Sequence, residues 1–192
     1  MSGILQAMLG HNDGGVTYAS WNPSDKGSTV TLSNSNLTAT FPSSTVQSAR
    51  ATIGKSSGKW YWEIKQNGDV TGPVAGISRA SMSVSSMWVG GTSDSWSEYI
   101  AIGRKYNAGS GAVYGSTGID GSVLGIALDM DGKTITFYID GANQGVAFTG
   151  LSGTVFPTVS QSGGFYTCNF VANFGATPFT YSVPGGYNAG LY

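Results

Sequence analysis

Charge is scarce in this chain: Lys, Arg, Asp and Glu make up 10% of its 192 residues, where soluble proteins average about 25%. Nine basic residues against ten acidic ones leave a net charge of −1. The bases are scattered, and only Arg104 and Lys105 are adjacent. A protein that grips nucleic acid through its phosphates needs a basic stripe, so that class of partner is set aside. Cysteine occurs once, which excludes an intramolecular disulfide and a zinc site built from a cysteine cluster. The setting of Cys168, Tyr166-Thr167-Cys168-Asn169-Phe170, reads as a strand with a buried, inert thiol. The single histidine, His11, lies near the N-terminus, where a flexible tail would not hold it as the base of a Ser-His-Asp or Cys-His arrangement. No apolar run reaches the roughly 18 residues of a membrane span. The first ten residues lack the basic region of a signal peptide. Neither G-x-x-x-x-G-K nor G-x-G-x-x-G is present, so no nucleotide site is indicated. Asp129-Met130-Asp131-Gly132 lacks the remaining acidic ligands of a calcium loop. No cofactor and no metal are expected.

What the chain does have is glycine, 30 residues of it, with aromatics at 12% and hydrophobic residues at 40%. Many short strands joined by tight turns need this composition. Residues 29–33 and 37–41 alternate with period two around Asn34-Ser35-Asn36, a hairpin pattern. Trp60-Tyr61-Trp62-Glu63-Ile64-Lys65 is the strongest strand; Trp60, Trp62 and Ile64 share one face and are assigned to the core. Residues 49–54, 74–78, 99–102, 122–130, 134–139, 145–148, 155–160 and 167–174 read as further strands. Asp131-Gly132 predicts a two-residue hairpin turn, and Asp140-Gly141 turns the chain again. Residues 79–98 and the Gly-rich stretch 107–115 are expected to be irregular. No amphipathic helix is evident. About a dozen short strands at near-regular spacing predict an all-β fold of two packed antiparallel sheets. The organisation expected is an apolar N-terminal arm over residues 1–15, one domain over 16–182, and a C-terminal tail over 183–192.

Two stretches carry a resemblance. Gly58-Lys59-Trp60-Tyr61-Trp62-Glu63-Ile64 resembles the G-K-x-Y-x-E strand of SPRY domains. Residues 121–138, reading G-S-V-L-G-I-A-L-D-M-D-G-K-T-I-T-F-Y, resemble that family's second signature, and Asn173-Phe174-Gly175 with Pro178-Phe179 its closing N-F-G-x-x-P-F. The likeness runs from about Trp21 to Tyr181. Ser122 stands where the family usually has Asp, and Asp140-Gly141 where Asn-Gly is usual. The resemblance implies a SPRY-type bent β-sandwich, lectin-like or jelly-roll-like, acting as a non-enzymatic binding module. The ligand stays open, because the signature residues are core and turn residues. Trp21-Asn22-Pro23-Ser24-Asp25-Lys26-Gly27 and the opening residues also resemble SPRY proteins of bacteriophage genomes. That implies a virion-surface protein of a tail or head fibre, assembled in the host cytoplasm and recognising a host-surface glycan or protein. Ile4, Leu5, Met8 and Leu9 would attach it to other virion proteins or drive homo-oligomerisation. The alternatives are an intracellular SPRY adaptor for a host protein or peptide, and a glycan-degrading enzyme.

The candidate binding residues are aromatic and basic side chains in the less regular segments: Trp88, Trp96, Tyr99, Tyr106 and Tyr114, with Arg79, Arg104 and Glu98 for polar fixing. Aromatic rings give large contact area at low entropic cost on sugars and protein anchors alike. Asp94 and Glu98 would be the carboxylates of the enzymatic alternative, although the E-x-D-x-x-E strand motif of lectin-like glycosidases is missing. Glu63, on the signature strand, is expected to satisfy buried polar neighbours instead.

Overall fold

Alternation along the Trp-Tyr-Trp segment builds the central strand of the molecule. Trp62 and Ile64 are fully buried on one face, and Tyr61 and Glu63 are buried on the other. A strand covered on both sides implies that something besides a second sheet lies over its outer face. The structure, a computed structural model, describes residues 15–43, 46–68, 71–163 and 166–192. The arm residues Ile4, Leu5, Met8 and Leu9 lie outside the described residues.

Among the described residues, fifteen strands form two antiparallel sheets, the second with one added parallel pairing. They are β1 (Trp21–Lys26), β2 (Thr31–Ser33), β3 (Thr38–Phe41), β4 (Val46–Ala51), β5 (Lys59–Gly68), β6 (Pro73–Ser78), β7 (Ser95–Tyr99), β8 (Arg104–Asn107), β9 (Ser110–Val113), β10 (Val123–Asp129), β11 (Thr134–Ile139), β12 (Ala142–Thr149), β13 (Phe156–Ser162), β14 (Cys168–Asn173) and β15 (Asn188–Ala189). The first sheet runs β1-β4-β13-β6-β7-β8-β9 and the second β12-β11-β10-β5-β14-β3-β2. Between them lies one core, with Trp21, Phe41, Trp62, Phe137, Phe170 and Phe174 among its largest side chains. The two-sheet, all-β fold read from the sequence is the one observed, and Ile135, Phe137 and Ile139 face inward as expected.

Several local expectations are corrected. The β10–β11 connection is not a two-residue turn: Asp129 pairs with Thr134, and Lys133 takes the left-handed conformation at φ 58°. Asp129 Oδ1 captures the Gly132 N–H at 2.6 Å, while Asp131 turns away to accept the Gly58 N–H at 2.7 Å. Asp140-Gly141 is the true two-residue turn, with both φ values positive (49° and 82°) and Ile139 paired to Ala142. The strand expected at residues 99–102 ends at Tyr99. A 3₁₀ turn (Ile100–Ile102) buries Ile100, and Gly103 at φ 59° reverses the chain into β8. Residues 95–98 and 107–113, read as irregular, instead belong to strands β7, β8 and β9 and the turn between the last two. Trp60 is half-buried rather than core: its ring lies 3.6 Å under the Lys55 ammonium, and its Nε1 donates to Ser57 O at 2.7 Å.

The two departures from the family pattern turn out to be partners. Ser122 Oγ donates to Asp140 Oδ2 at 3.0 Å, and Asp140 Oδ1 accepts the Val123 N–H at 2.8 Å. A hydroxyl donor at 122 thus faces a carboxylate acceptor at 140.

The C-terminal residues, of which 183–192 are expected from the sequence to form a tail, cross the outer face of the second sheet. Phe179 packs edge-on against Tyr61 at 5.2 Å, and Glu63 accepts the Thr180 and Tyr181 N–H groups at 2.8 and 2.9 Å. β15 then lies parallel to β5, and Leu191 is fully buried. Gly175 and Gly190 cross back to back, at φ 108° and 109°. A Cβ on Gly190 would sit 2.4 Å from Phe174 O and 2.7 Å from the Gly175 Cα. Gly190→Ala is therefore expected to cost about 2 kcal/mol through strain and collision. Denaturant unfolding read by tryptophan fluorescence checks this, and a midpoint equal to that of the wild type would contradict it.

Candidate functional site

The first sheet has a polar outer face. Ser48 and Arg50 of β4, Thr158 and Ser160 of β13, Ser78 of β6 and Ser95 and Ser97 of β7 all lie there, and all are buried. Their cover is the segment 79–94, which buries Met82 and Val89 against the sheet. Backbone hydrogen bonds hold it. Ser48 Oγ donates to Met87 O at 2.6 Å, and Ser160 and Ser95 accept the N–H groups of Val89 and Gly90, both at 2.8 Å. Arg50 is 2% exposed; it bonds Ser78 Oγ, Ala80 O and Met82 O and pairs with Asp25 at 2.8 Å. A buried backbone needs such partners, so the serines are the loop's hydrogen-bonding floor.

This floor positions an aromatic strip. Gly90, at φ 97°, lets the chain touch down between Ser97 and Tyr106, since a Cβ there would come within 2.3 Å of Ser97 Oγ. Trp88 then stands edge-on to Tyr106, with ring centroids 5.3 Å apart. Tyr99 is the other neighbour of Tyr106, at 6.5 Å. Tyr106 fits because Gly111, opposite it on β9, has no side chain: a Cβ there would meet the ring at 2.4 Å. Arg104 lies 6.0 Å from the Tyr106 centroid and donates to Gly111 O at 2.9 Å, while its Nε, although buried, has no partner among the described residues. The register places Tyr99, Arg104 and Val113 side by side on this face, and Val113 is 83% exposed. Trp88, Tyr99, Arg104 and Tyr106 are each half-buried, so rigid rings and one guanidinium are offered to solvent.

Period two divides the sequence-predicted residues between two faces. Trp88, Tyr99, Arg104 and Tyr106 come together outside. Trp96, Glu98 and Tyr114 point inward, and none belongs to the strip. Trp96 is 9% exposed and joins the core. Tyr114 packs on Phe137, and its hydroxyl donates to Gly145 O at 2.6 Å; burial pushes its ionisation well above the ordinary tyrosine range. Arg79 stays at the far end of β7, bound to Asp94 at 2.9 Å and to Ser152, over the Trp96 ring. Glu98 has no exposed surface and, among the described residues, no hydrogen-bond partner for either oxygen, and burial raises its pKa to about 8. Asp94, by contrast, is held below the usual carboxylate range by the Ser81 hydroxyl and Arg79. One carboxylate at the surface and one sealed in the core make no glycosidase pair, which removes the enzymatic use of Asp94 and Glu98. Val113 and the serine floor leave no mark in the sequence pattern; only the strand register reveals them.

A model of the SPRY domain matches residues 59–177. Ran-binding protein 9 of Xenopus tropicalis is 30% identical over 175 residues, covering 85% of this chain and 31% of the relative. Ran-binding protein 10 of Danio rerio is 30% identical over the same length, covering 85% and 28%. The chain thus spans about a third of the length of these curated relatives. Among solved structures, the SPRY domain of human HERC1 superposes with a TM-score of 0.70 at 21% identity, covering 79% of this chain and 96% of that one. The TRIM65 PSpry domain superposes at 0.66 with 15% identity, covering 82% and 90%.

Proposed function

Since the chain belongs to the SPRY domain family, we propose that it is a protein-interaction module that holds a segment of a partner protein on the strip formed by Trp88, Tyr99, Arg104, Tyr106 and Val113. The observation that carries this reading is the strip itself: half-buried rings and a guanidinium fixed from beneath by Gly90, Gly111 and the serine floor. Anchors held in place before binding lose little entropy on association. Tryptophan, tyrosine and arginine are also the residues that dominate interface energetics. The relatives named above are Ran-binding proteins of vertebrates, which favours an adaptor acting inside a cell over a fibre on a virion surface.

The test is affinity capture with the domain immobilised, each recovered partner being identified and its affinity then measured in solution. Trp88→Ala and Tyr106→Ala are each expected to weaken that affinity by about 30-fold, the range of an interface hot spot. Val113→Arg should weaken it as well, while thermal stability stays near wild type. Trp96→Ala should instead lower stability, as a core truncation. Unchanged affinity in the Trp88→Ala/Val113→Arg double variant would exclude the strip. Saturable binding to a glycan array, abolished by Tyr106→Ala, would turn the reading towards a sugar ligand.

A further inference from the structure

The outer face of the second sheet carries a separate cavity, of about 350 Å³, within the usual size of small-ligand sites. Its floor is a cross-strand row in which Lys65 of β5 lies between Val123 of β10 and Val171 of β14. One wall is the C-terminal segment, through Thr177 and Thr180; the other is the β2–β3 turn, through Asn34 and Leu37.

Three features distinguish this cavity from a chance gap. Among the described residues Lys65 has no ion pair, and its exposed ammonium stem lines the pocket with the exposed side chains of Asn34, Thr177 and Thr180 beside the aliphatic Val123, Val171 and Leu37. Glu63, the one carboxylate in the lining, is already taken by the Tyr61 hydroxyl and by the Thr180 and Tyr181 N–H groups. The turn beside it holds three successive non-glycine residues in the left-handed conformation: Asn34, Ser35 and Asn36, at φ 52°, 53° and 62°. Such conformations cost free energy and cluster at ligand clamps. Here they are held by Trp21 N–H on Asn36 O at 2.8 Å and by Trp21 Nε1 on Leu37 O at 3.1 Å.

We propose that this cavity is a binding site for a small carboxylate with a short apolar body, its anionic end on Lys65 and Asn34 and its body on Val123, Val171 and Leu37. The site is independent of the aromatic strip, which lies on the outer face of the other sheet. A carboxylate suits a single ammonium flanked by amide and hydroxyl donors, because charge-assisted hydrogen bonds are the strong ones. The floor accounts for the apolar body, since Val123, Val171 and Leu37 line it with branched aliphatic side chains.

The experiment titrates the full chain, isotope-labelled, with hexanoate, hexylammonium and hexanol, following backbone amides by NMR. Hexanoate is expected to shift the amides of Val123, Val171 and Ala172 saturably, while those of Trp88 and Tyr106 stay still. Lys65→Met, which keeps the stem and removes the charge, should weaken hexanoate by about tenfold and leave hexanol unchanged. Val171→Phe, which fills the cavity, should abolish both. Three results would overturn the proposal: hexylammonium binding as well as hexanoate, equal hexanoate affinity in wild type and Lys65→Met, or no localised shifts with any probe.

Discussion

Raising the pH from 5 to 8 is expected to destabilise this domain by on the order of 3 kcal/mol, and replacing one residue, Glu98, by glutamine should abolish most of that loss. Glu98 lies on β7 with no exposed surface, and among the described residues neither oxygen has a hydrogen-bond donor. Its strand neighbours are Ala75 and Lys105. The Lys105 ammonium is spent elsewhere: it donates to Ala147 O and stands 5.5 Å from the Tyr114 ring centre and 5.2 Å from that of Phe148. Burial without a counter-charge raises the pKa from 4.5 to about 8. The folded state therefore holds its proton more tightly than the unfolded chain does. The stability this confers is complete below pH 4.5, shrinks between 4.5 and 8, and is lost above 8. A tenfold difference in proton affinity between the two states is worth about 1.4 kcal/mol. Histidine is the side chain that ordinarily titrates in this window, and the single one, His11, lies outside the described residues. Urea unfolding at closely spaced pH values checks the slope. Glu98→Gln keeps the shape, removes the charge, and should give a nearly level profile with higher stability at pH 8 than the wild type. A sloping profile in the variant would assign the pH dependence to other groups.

The second large effect concerns Arg50, which looks in sequence like one of nine scattered bases. Arg50→Met is expected to cost about 2–3 kcal/mol, because buried acceptors lose their donor, while the Asp25 carboxylate left behind is 32% exposed and can hydrate. Its guanidinium ties the covering segment to the sheet at Ala80 O and Met82 O and neutralises Asp25. Methionine fills much of the volume and satisfies none of these acceptors. Arg50→Lys should recover only part of the loss, because a single ammonium cannot reproduce the planar fork. The consequence for function is specific: amide exchange at Val89 and Gly90 should accelerate, since the segment that carries Trp88 is released, and partner affinity should fall with it. A loss below about 1 kcal/mol would show that the serine contacts suffice to hold the segment.

Most of the architecture was legible in the chain because it follows from local alternation. Residues 60–65 and 134–139 alternate with period two and 122–130 form a short continuous apolar run, patterns strong enough to settle their state, and the turn at Asp140-Gly141 has the residues that its positive φ values require. The single cysteine likewise excluded an intramolecular disulfide without any coordinates. The site divided differently. The sequence indicated which aromatic residues lie near the irregular segments, but their sidedness depends on where a strand begins. β7 was hidden inside a polar stretch, so the parity that turns Trp96 and Glu98 inward and Tyr99 outward could not be assigned. Ser48, Arg50 and Ser160 resemble an ordinary solvated face until segment 79–94 is laid over them. The C-terminal residues look like a tail until β15 docks on β5. These contacts join residues tens of positions apart through hydrogen bonds that leave no local pattern in composition or periodicity. The chain alone therefore determined the sheets, and the packing of irregular segments on their outer faces decided where a ligand can be held.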